Sequence, residues 1–305
     1  MRISFVIPSY NEVESLPELL RQIREVAGKE HWDYEVIIVD DGSTDHTYAF
    51  LEHVKETMPG LHAIHFRRNC GKATGLQAGF AKATGDRVVM LDADLQDDPH
   101  DVPQLLKKID EGYDAVTGWK VKRHDPWHKV IPSRIINGIV RMMFGLRIHD
   151  MNCGLKAFRK EVIEVVPIYG DLYRYILIFA HTKGFKVTEL PTTHRSRKYG
   201  ESKYGVSRIL RGFLDLFTVY FLTKYSKRPL HFFGGLGLLL SFAGALLLIY
   251  LAVIHFMGQN IGSRPLLFFG VLLFLTGLQF VMTGFIAELL TSQKPKLDPP
   301  IDKGF

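Results

Sequence analysis

Apolar residues in the first 120 positions fall into two alternating kinds of run. Short blocks rich in Val, Ile and Phe read as strands: "ISFVIP" (3–8), "EVIIVDDGS" (35–43), "HAIHF" (62–66), "DRVVMLDAD" (86–94) and "DAVTGW" (114–119). Between them apolar positions recur at helical spacing, at Leu16, Leu19, Leu20 and Ile23, then over 49–58, 74–83 and 102–109. Strands alternating with helices predict an α/β fold, a mostly parallel sheet flanked by helices. Ligands of such sheets bind beyond the carboxyl ends of the strands. Three polar clusters fall there: "SYNE", "DDGSTD" and "DADLQDD".

The pattern changes in the last third. Residues 232–256 and 265–287 contain no Asp, Glu, Lys or Arg. Each run exceeds the roughly 20 apolar residues that a membrane-crossing helix needs. A short loop, "MGQNIGS", joins them, which predicts a two-helix transmembrane hairpin. Lys224, Lys227 and Arg228 flank the first span and Lys294 and Lys296 follow the second, against Arg264 alone in the loop. The positive-inside rule then places the large domain and the C-terminus in the cytoplasm. Residues 206–222 carry a narrow polar stripe of Arg208, Arg211, Asp215 and Thr218 on an otherwise apolar helix. It reads as an amphipathic helix in the membrane interface or as a helix packed on the soluble domain. The expected organisation is a cytoplasmic domain (1–205), a juxtamembrane region (206–229), the hairpin (230–292) and a cytoplasmic tail (293–305).

Charge sharpens this division: only seven of the 70 Asp, Glu, Lys and Arg residues lie beyond residue 229. The chain's net charge is +6, yet the segment from Arg195 to Arg228 alone carries +7. The basicity is a membrane-proximal band suited to anionic headgroups or a lipid-borne phosphate, not a nucleic-acid surface. Cys70 and Cys153 lack metal-ligand spacing and fit a reducing compartment. "MRISFVIPSYNE" turns polar too soon for a signal peptide.

The chemistry sits in the acids. Asp92 and Asp94 end a buried-looking strand, where like charges demand compensation. A hard cation, Mg²⁺ or Mn²⁺, takes one or two such carboxylates and fills its shell with phosphate oxygens. A DxD pair alone is common by chance. Asp98-Pro99 followed by Asp101 reads as a helix start, so Asp97 and Asp98 are taken as structural. Asp40 and Asp41 are open between capping the "DDGS" turn and accepting a nucleobase N–H. Gly71, Gly75 and Gly79 predict close helix packing. No GxGxxG after the first strand and no GxxxxGK[ST] occurs.

"VIPSYNE", "VDDGSTD" and "MLDADLQ", in this order, resemble the successive motifs of family 2 glycosyltransferases of the GT-A nucleotide-diphospho-sugar fold. With "RKYGESKYG" (197–205), a basic segment and a C-terminal hairpin, the chain resembles the polyprenyl-phosphate sugar transferases, the group that includes dolichol-phosphate mannose synthase. The likeness spans about residues 1–225. It implies a nucleoside pocket of Pro8, Tyr10, Glu12, Val39 and Asp41, which favours the base-binding reading of Asp41. It implies that Asp92, Ala93, Asp94 and Gln96 hold ribose, metal and diphosphate, with Asp92 and Asp94 as metal ligands. Lys120 stands where relatives often carry arginine, and the implied role is a phosphate contact with the nucleotide sugar. Arg197 and Lys203 would bind phosphates, and Asp150 matches an acidic position near the sugar, so Asp94 and Asp150 are the catalytic candidates.

The resemblance further implies an inverting, metal-dependent transfer from a nucleoside-diphosphate sugar, with UDP-glucose favoured and GDP-mannose the alternative. The acceptor it implies is undecaprenyl or dolichyl phosphate at the cytoplasmic face of a membrane. Relatives also suggest a homo-oligomer, a tetramer. No QxxRW and no clear Glu-Asp base pair in "GDLYRYILIF" occurs, which suits a phosphate nucleophile. Two alternatives stay open: transfer to a lipid hydroxyl, with Asp150 as base, and a non-catalytic sugar-nucleotide-binding membrane protein.

Overall fold

The computed structural model describes residues 1–121, 137–166, 170–195, 207–262 and 264–293. The chain forms two compact units, 1–219 and 220–305.

The first unit is built on β1 (Arg2–Ser9), β2 (Asp33–Asp40), β3 (Leu61–His65), β4 (Arg87–Met90), β5 (Ala115–Lys120), β6 (Lys156–Arg159) and β7 (Val187–Thr192). They make one sheet in the order β3-β2-β1-β4-β6-β5-β7. Every pairing is parallel except those of β6, which runs against β4 and β5. Helices α1 (Leu16–Lys29), α2 (Thr47–Thr57), α3 (Lys72–Lys82) and α4 (Val102–Asp110) connect the first five strands. Ile3, Phe5, Val6 and Ile7 of β1 are all buried, because a central parallel strand is covered on both faces. The predicted strands and helices are all present, with ends shifted by a few residues. The sheet is mixed, because β6 joins it in reverse.

Two of the three glycines at four-residue spacing pack as expected. A Cβ at Gly75 would touch Pro8 at 3.5 Å, and one at Gly79 would collide with Val6 and stand 3.3 Å from Val39. These glycines let α3 lie close on β1 and β2. Gly71 instead precedes α3 with a φ of 89°.

Beneath the sheet's other end, Glu35 is 1% exposed. It accepts hydrogen bonds from Ser4 Oγ (2.5 Å), Thr84 N (2.7 Å) and Thr84 Oγ1 (2.8 Å), with Arg2 Nη2 at 3.4 Å. Burial alone would raise its pKa, but these donors and the Arg2 charge hold it below the usual range. A depressed carboxylate stabilises the fold above its unfolded pKa, near 4.3, and that contribution is lost as pH falls through the folded value. Glu35→Ala is expected to cost about 2–3 kcal/mol by orphaning buried donors. Urea unfolding of the detergent-solubilised protein at pH 7 and pH 4 checks it. At pH 4, just below the unfolded pKa, the gap between variant and wild type should have begun to narrow, and it should close further only as pH falls through the folded value.

After β6 come α5 (Lys160–Val165), a 3-10 turn (Gly170–Tyr175), α6 (Ile176–Thr182) and, beyond β7, α7 (Ser207–Lys224). Within the first unit α7 buries Gly212, Leu216 and Val219, and the Tyr175 hydroxyl donates to the Gly212 carbonyl at 3.0 Å. Leu214 and Phe217 stay exposed. The helix therefore packs on the domain along one face and keeps apolar residues outside on another.

The second unit contains α8 (Pro229–Phe256) and α9 (Pro265–Ser292), each of 28 residues, long and apolar enough to cross a membrane. Only 17% and 11% of their most apolar windows are buried, so they are not core helices of a soluble fold. They meet through Gly237 and Gly244 on one helix and Gly270, Gly277 and Gly284 on the other. A Cβ at Gly237 would stand 2.6 Å from the Gly277 carbonyl, and one at Gly244 2.5 Å from Phe274 N. Small residues allow this approach where lipid provides no hydrophobic drive. The Glu288 carboxylate accepts the Leu230 N–H at 3.1 Å, satisfying one of the open donors at the start of α8. Gly277→Leu is expected to cost about 1–3 kcal/mol by overpacking, seen as a lower melting temperature in detergent. Leu239→Ala, on an exposed face, should leave that temperature unchanged.

Candidate active site

Because β1, β2, β4, β5 and β7 run the same way, their carboxyl ends share one rim. The reversal of β6 brings its amino end, with residues 150–156 before it, to that rim as well. Sequence order alone would not have gathered these segments.

The first group of residues lies at the ends of β1 and β2. Asn11, in a left-handed conformation (φ 56°), donates its N–H to Ser43 Oγ at 2.8 Å and accepts the Thr44 N–H at 2.8 Å. Glu12 N donates to Thr47 Oγ1 at 3.1 Å. Asp40 is fully buried, accepts the Ser43 N–H at 3.0 Å and lies 2.8 Å from His65 Nδ1. Asp40 therefore shapes the turn. Asp41 accepts the Cys70 N–H at 2.6 Å and the Gly71 N–H at 2.9 Å, fixing the segment that launches α3. Each Asp41 oxygen keeps a lone pair for another donor. Pro8 and Val39 flank Gly75, and Tyr10 and Glu12 are half-buried. Gly42 has a φ of 69°, and a Cβ there would stand 2.5 Å from the Arg68 backbone.

The second group lies where β4, β5 and β6 meet. Asp92 Oδ1 pairs with Lys72 Nζ. Asp97 Oδ1 pairs with Lys120 Nζ at 3.0 Å, and the Cys153 thiol is 3.8 Å away. Lys156, 1% exposed, donates to the Cys153 carbonyl. Burial would raise the Asp92 pKa, but the charges of Lys72, Lys120 and Lys156 hold it low. The same burial depresses the Lys156 ammonium, partly offset by Asp150 and Asp92. Lys120 is raised against its burial by Asp97 and Asp92. Asp92, Asp150 and Lys120 thus belong to one electrostatic cluster. Asp94, buried beside Ala93, accepts the Gln96 N–H at 3.2 Å across Leu95, and the Gln96 carbonyl accepts the Arg195 N–H at 2.9 Å. Leu95 is left-handed (φ 60°), a conformation that costs a bulky residue about 1–2 kcal/mol and that marks a constrained turn. Asp150, 1% exposed, accepts the Asn152 N–H at 3.1 Å.

Asp98 caps the 3-10 turn Pro99–Asp101 as its sequence implied, accepting the His100 N–H at 3.0 Å, and also pairs with Arg195. Asp97, also read as structural, belongs to the lysine cluster through Lys120. Sequence reading missed Lys72, Lys156 and Gly154. The available signals were a lysine at the very start of a helix and one inside the apolar run "CGLKAF". Arg197 and Lys203 lie outside the described residues.

The described residues contain no group of three or more His, Cys, Asp or Glu placed to hold an ion. A cation bound mainly through substrate phosphates needs no such group. At Gly154 a Cβ would stand 2.5 Å from Asp97 Oδ2 and 2.7 Å from Asp92 Oδ2, so two carboxylates pack directly against this backbone and only glycine fits beneath them. The hard oxygen donors brought together there fit Mg²⁺ or Mn²⁺.

The fold is an open α/β sheet with acids and lysines on one rim, and the chain belongs to glycosyl transferase family 2, whose profile matches residues 4–166. It is 35% identical over 296 residues to dodecaprenyl-phosphate galacturonate synthase of Rhizobium johnstonii, covering 95% of this chain and 88% of that protein. It is 38% identical over 294 residues to undecaprenyl-phosphate 4-deoxy-4-formamido-L-arabinose transferase of an Enterobacter species, with 95% and 88% covered. Among solved structures it is similar to glucosyl-3-phosphoglycerate synthase of Mycobacterium tuberculosis, crystallised with Mn²⁺, UDP and phosphoglyceric acid. That likeness has a TM-score of 0.57 at 18% identity, over 73% of this chain and 78% of that one, and shows the GT-A fold.

Proposed function

We propose that this protein is an inverting glycosyltransferase that moves a sugar from a nucleoside-diphosphate sugar to a polyprenyl phosphate. The observation that carries this reading is likeness along 95% of the chain, hairpin included, to enzymes named for polyprenyl-phosphate glycosylation. A UDP-sugar is the proposed donor, with UDP-glucose and the sugars of the named relatives the first to try, and GDP-mannose the alternative. The ends of β1 and β2, with Asp41, would take the nucleoside. The positive charge of the lysine cluster beside Asp92 would stabilise the diphosphate leaving group as negative charge develops on it. A bound Mg²⁺ or Mn²⁺, held by Asp92 and Asp94 with phosphate oxygens, would supply further charge neutralisation. Arg197 and Lys203 are proposed to hold phosphates.

A phosphate monoester, with its second pKa near 6, is largely ionised at neutral pH and attacks with little general-base help. Asp150 then acts by positioning, through the charge of Lys156 that it faces. The hairpin would anchor the chain in the membrane that holds the acceptor, with the catalytic domain and both termini cytoplasmic, and the active form is proposed to be a homo-oligomer.

The test is transfer of radiolabelled sugar into the organic phase from a panel of UDP- and GDP-sugars with undecaprenyl phosphate. One donor should label the lipid, and the product should be the anomer opposite to the donor's. A product of retained configuration would contradict the single displacement.

A further inference from the structure

We propose that Lys72 is an exchangeable counter-cation: its ammonium neutralises Asp92 in the resting site and passes to the donor's diphosphate when a divalent metal takes its place on that carboxylate. The inference rests on the proposed function and adds a role for a residue outside the sequence motifs.

Three observations support it. Lys72 Nζ holds Asp92 Oδ1, one of the oxygens a metal would need. The pair is open to solvent, with side chains 23% and 29% exposed, whereas the Lys120–Asp97 pair is sealed at 13% and 2%. Lys156 is buried against the Cys153 carbonyl. Of the three lysines around Asp92, Lys72 is thus the one whose partner an incoming ion can reach. A second resting place is also at hand, because the Lys72 ammonium lies 5.2 Å from the centre of the Tyr173 ring, within cation–π range.

The backbone before Lys72 does not need to move. Asp41 pins the Cys70 and Gly71 N–H groups, and α3 begins at Lys72 itself. The exchange is therefore a side-chain event on a fixed base. It conserves charge balance: a metal that displaces the ammonium brings positive charge to Asp92, and the diphosphate that accompanies it supplies a new anion for Lys72. It also implies that metal without nucleotide binds weakly, since nothing then compensates the freed ammonium.

The experiment is Mn²⁺ binding to the full-length detergent-solubilised protein, followed by the EPR signal of free Mn²⁺, with and without UDP or GDP. Lys72→Met removes the competing charge but keeps the chain length. It is expected to bind Mn²⁺ alone about ten-fold more tightly, because a repelling charge at contact distance is gone, and nucleotide with Mn²⁺ about ten-fold or more weakly. Lys72→Arg, which keeps the charge, should bind Mn²⁺ alone as weakly as wild type. A lysine that merely stabilises the fold would not move these two affinities in opposite directions. If wild type binds Mn²⁺ with nucleotide and Lys72→Met shifts neither affinity, the exchange is wrong and the proposed function stands. If neither protein binds Mn²⁺ under any condition, the metal role and the exchange both fall.

Discussion

Asp94→Ala is expected to lower sugar transfer by roughly a hundred- to a thousand-fold, the usual cost of removing one group that stabilises developing charge. Two losses combine in it. The carboxylate that would meet the metal disappears, and so does the acceptor that closes the turn around left-handed Leu95. Asp94→Asn separates them, because the amide oxygen can still accept the Gln96 N–H. If charge is what matters, Asn should be nearly as inactive as Ala. Near-normal turnover by Asp94→Asn would assign Asp94 to the turn alone. Initial rates with saturating donor and lipid phosphate, alongside melting temperatures, make the comparison.

Gly154→Ala should lower turnover about a hundred-fold through a displacement of the order of 1 Å, without removing any charged group. The new methyl would press on Asp92 Oδ2 and Asp97 Oδ2, and both carboxylates are tied to lysines that would shift with them. Retained melting temperature with lost turnover is the expected pair of results. Normal turnover would show that the exact placing of these two carboxylates does not matter for transfer.

Much of this architecture was legible in the chain. Parallel strands buried on both faces become continuous apolar runs, so β1, β2 and β4 announced themselves, and their polar ends marked the rim. The hairpin was legible because length and absence of charge suffice. β6 and β7 were not. "KAFR" is too short for a period to show and opens on a buried lysine that looks like a surface residue. β7 reads "VTELPT", polar with a proline, which an edge strand tolerates because Pro191 needs no donor there.

The site divides in the same way. Asp92, Asp94 and Asp41 stood out as acids at strand ends. Which of Asp40 and Asp41 shapes the turn was decided by His65 and by the Cys70–Gly71 backbone, groups distant in sequence. The lysine cluster was invisible because its members come from α3, β5 and β6, and only the reversal of β6 places Lys156 beside Asp92. Asp97 was read as structural, but its partner could not be named, because Lys120 lies on another strand.

The central claim is that the acceptor nucleophile is a lipid phosphate. It is tested most directly by nucleoside diphosphate release from the purified protein with Mn²⁺ or Mg²⁺, comparing polyprenyl phosphate with the corresponding polyprenyl alcohol and a diacylglycerol. Release that requires the phosphate, stops with EDTA and is lost in Asp94→Ala is the expected result. Release with a lipid alcohol and none with polyprenyl phosphate would contradict it, and would make Asp150 the base of a hydroxyl-directed transfer.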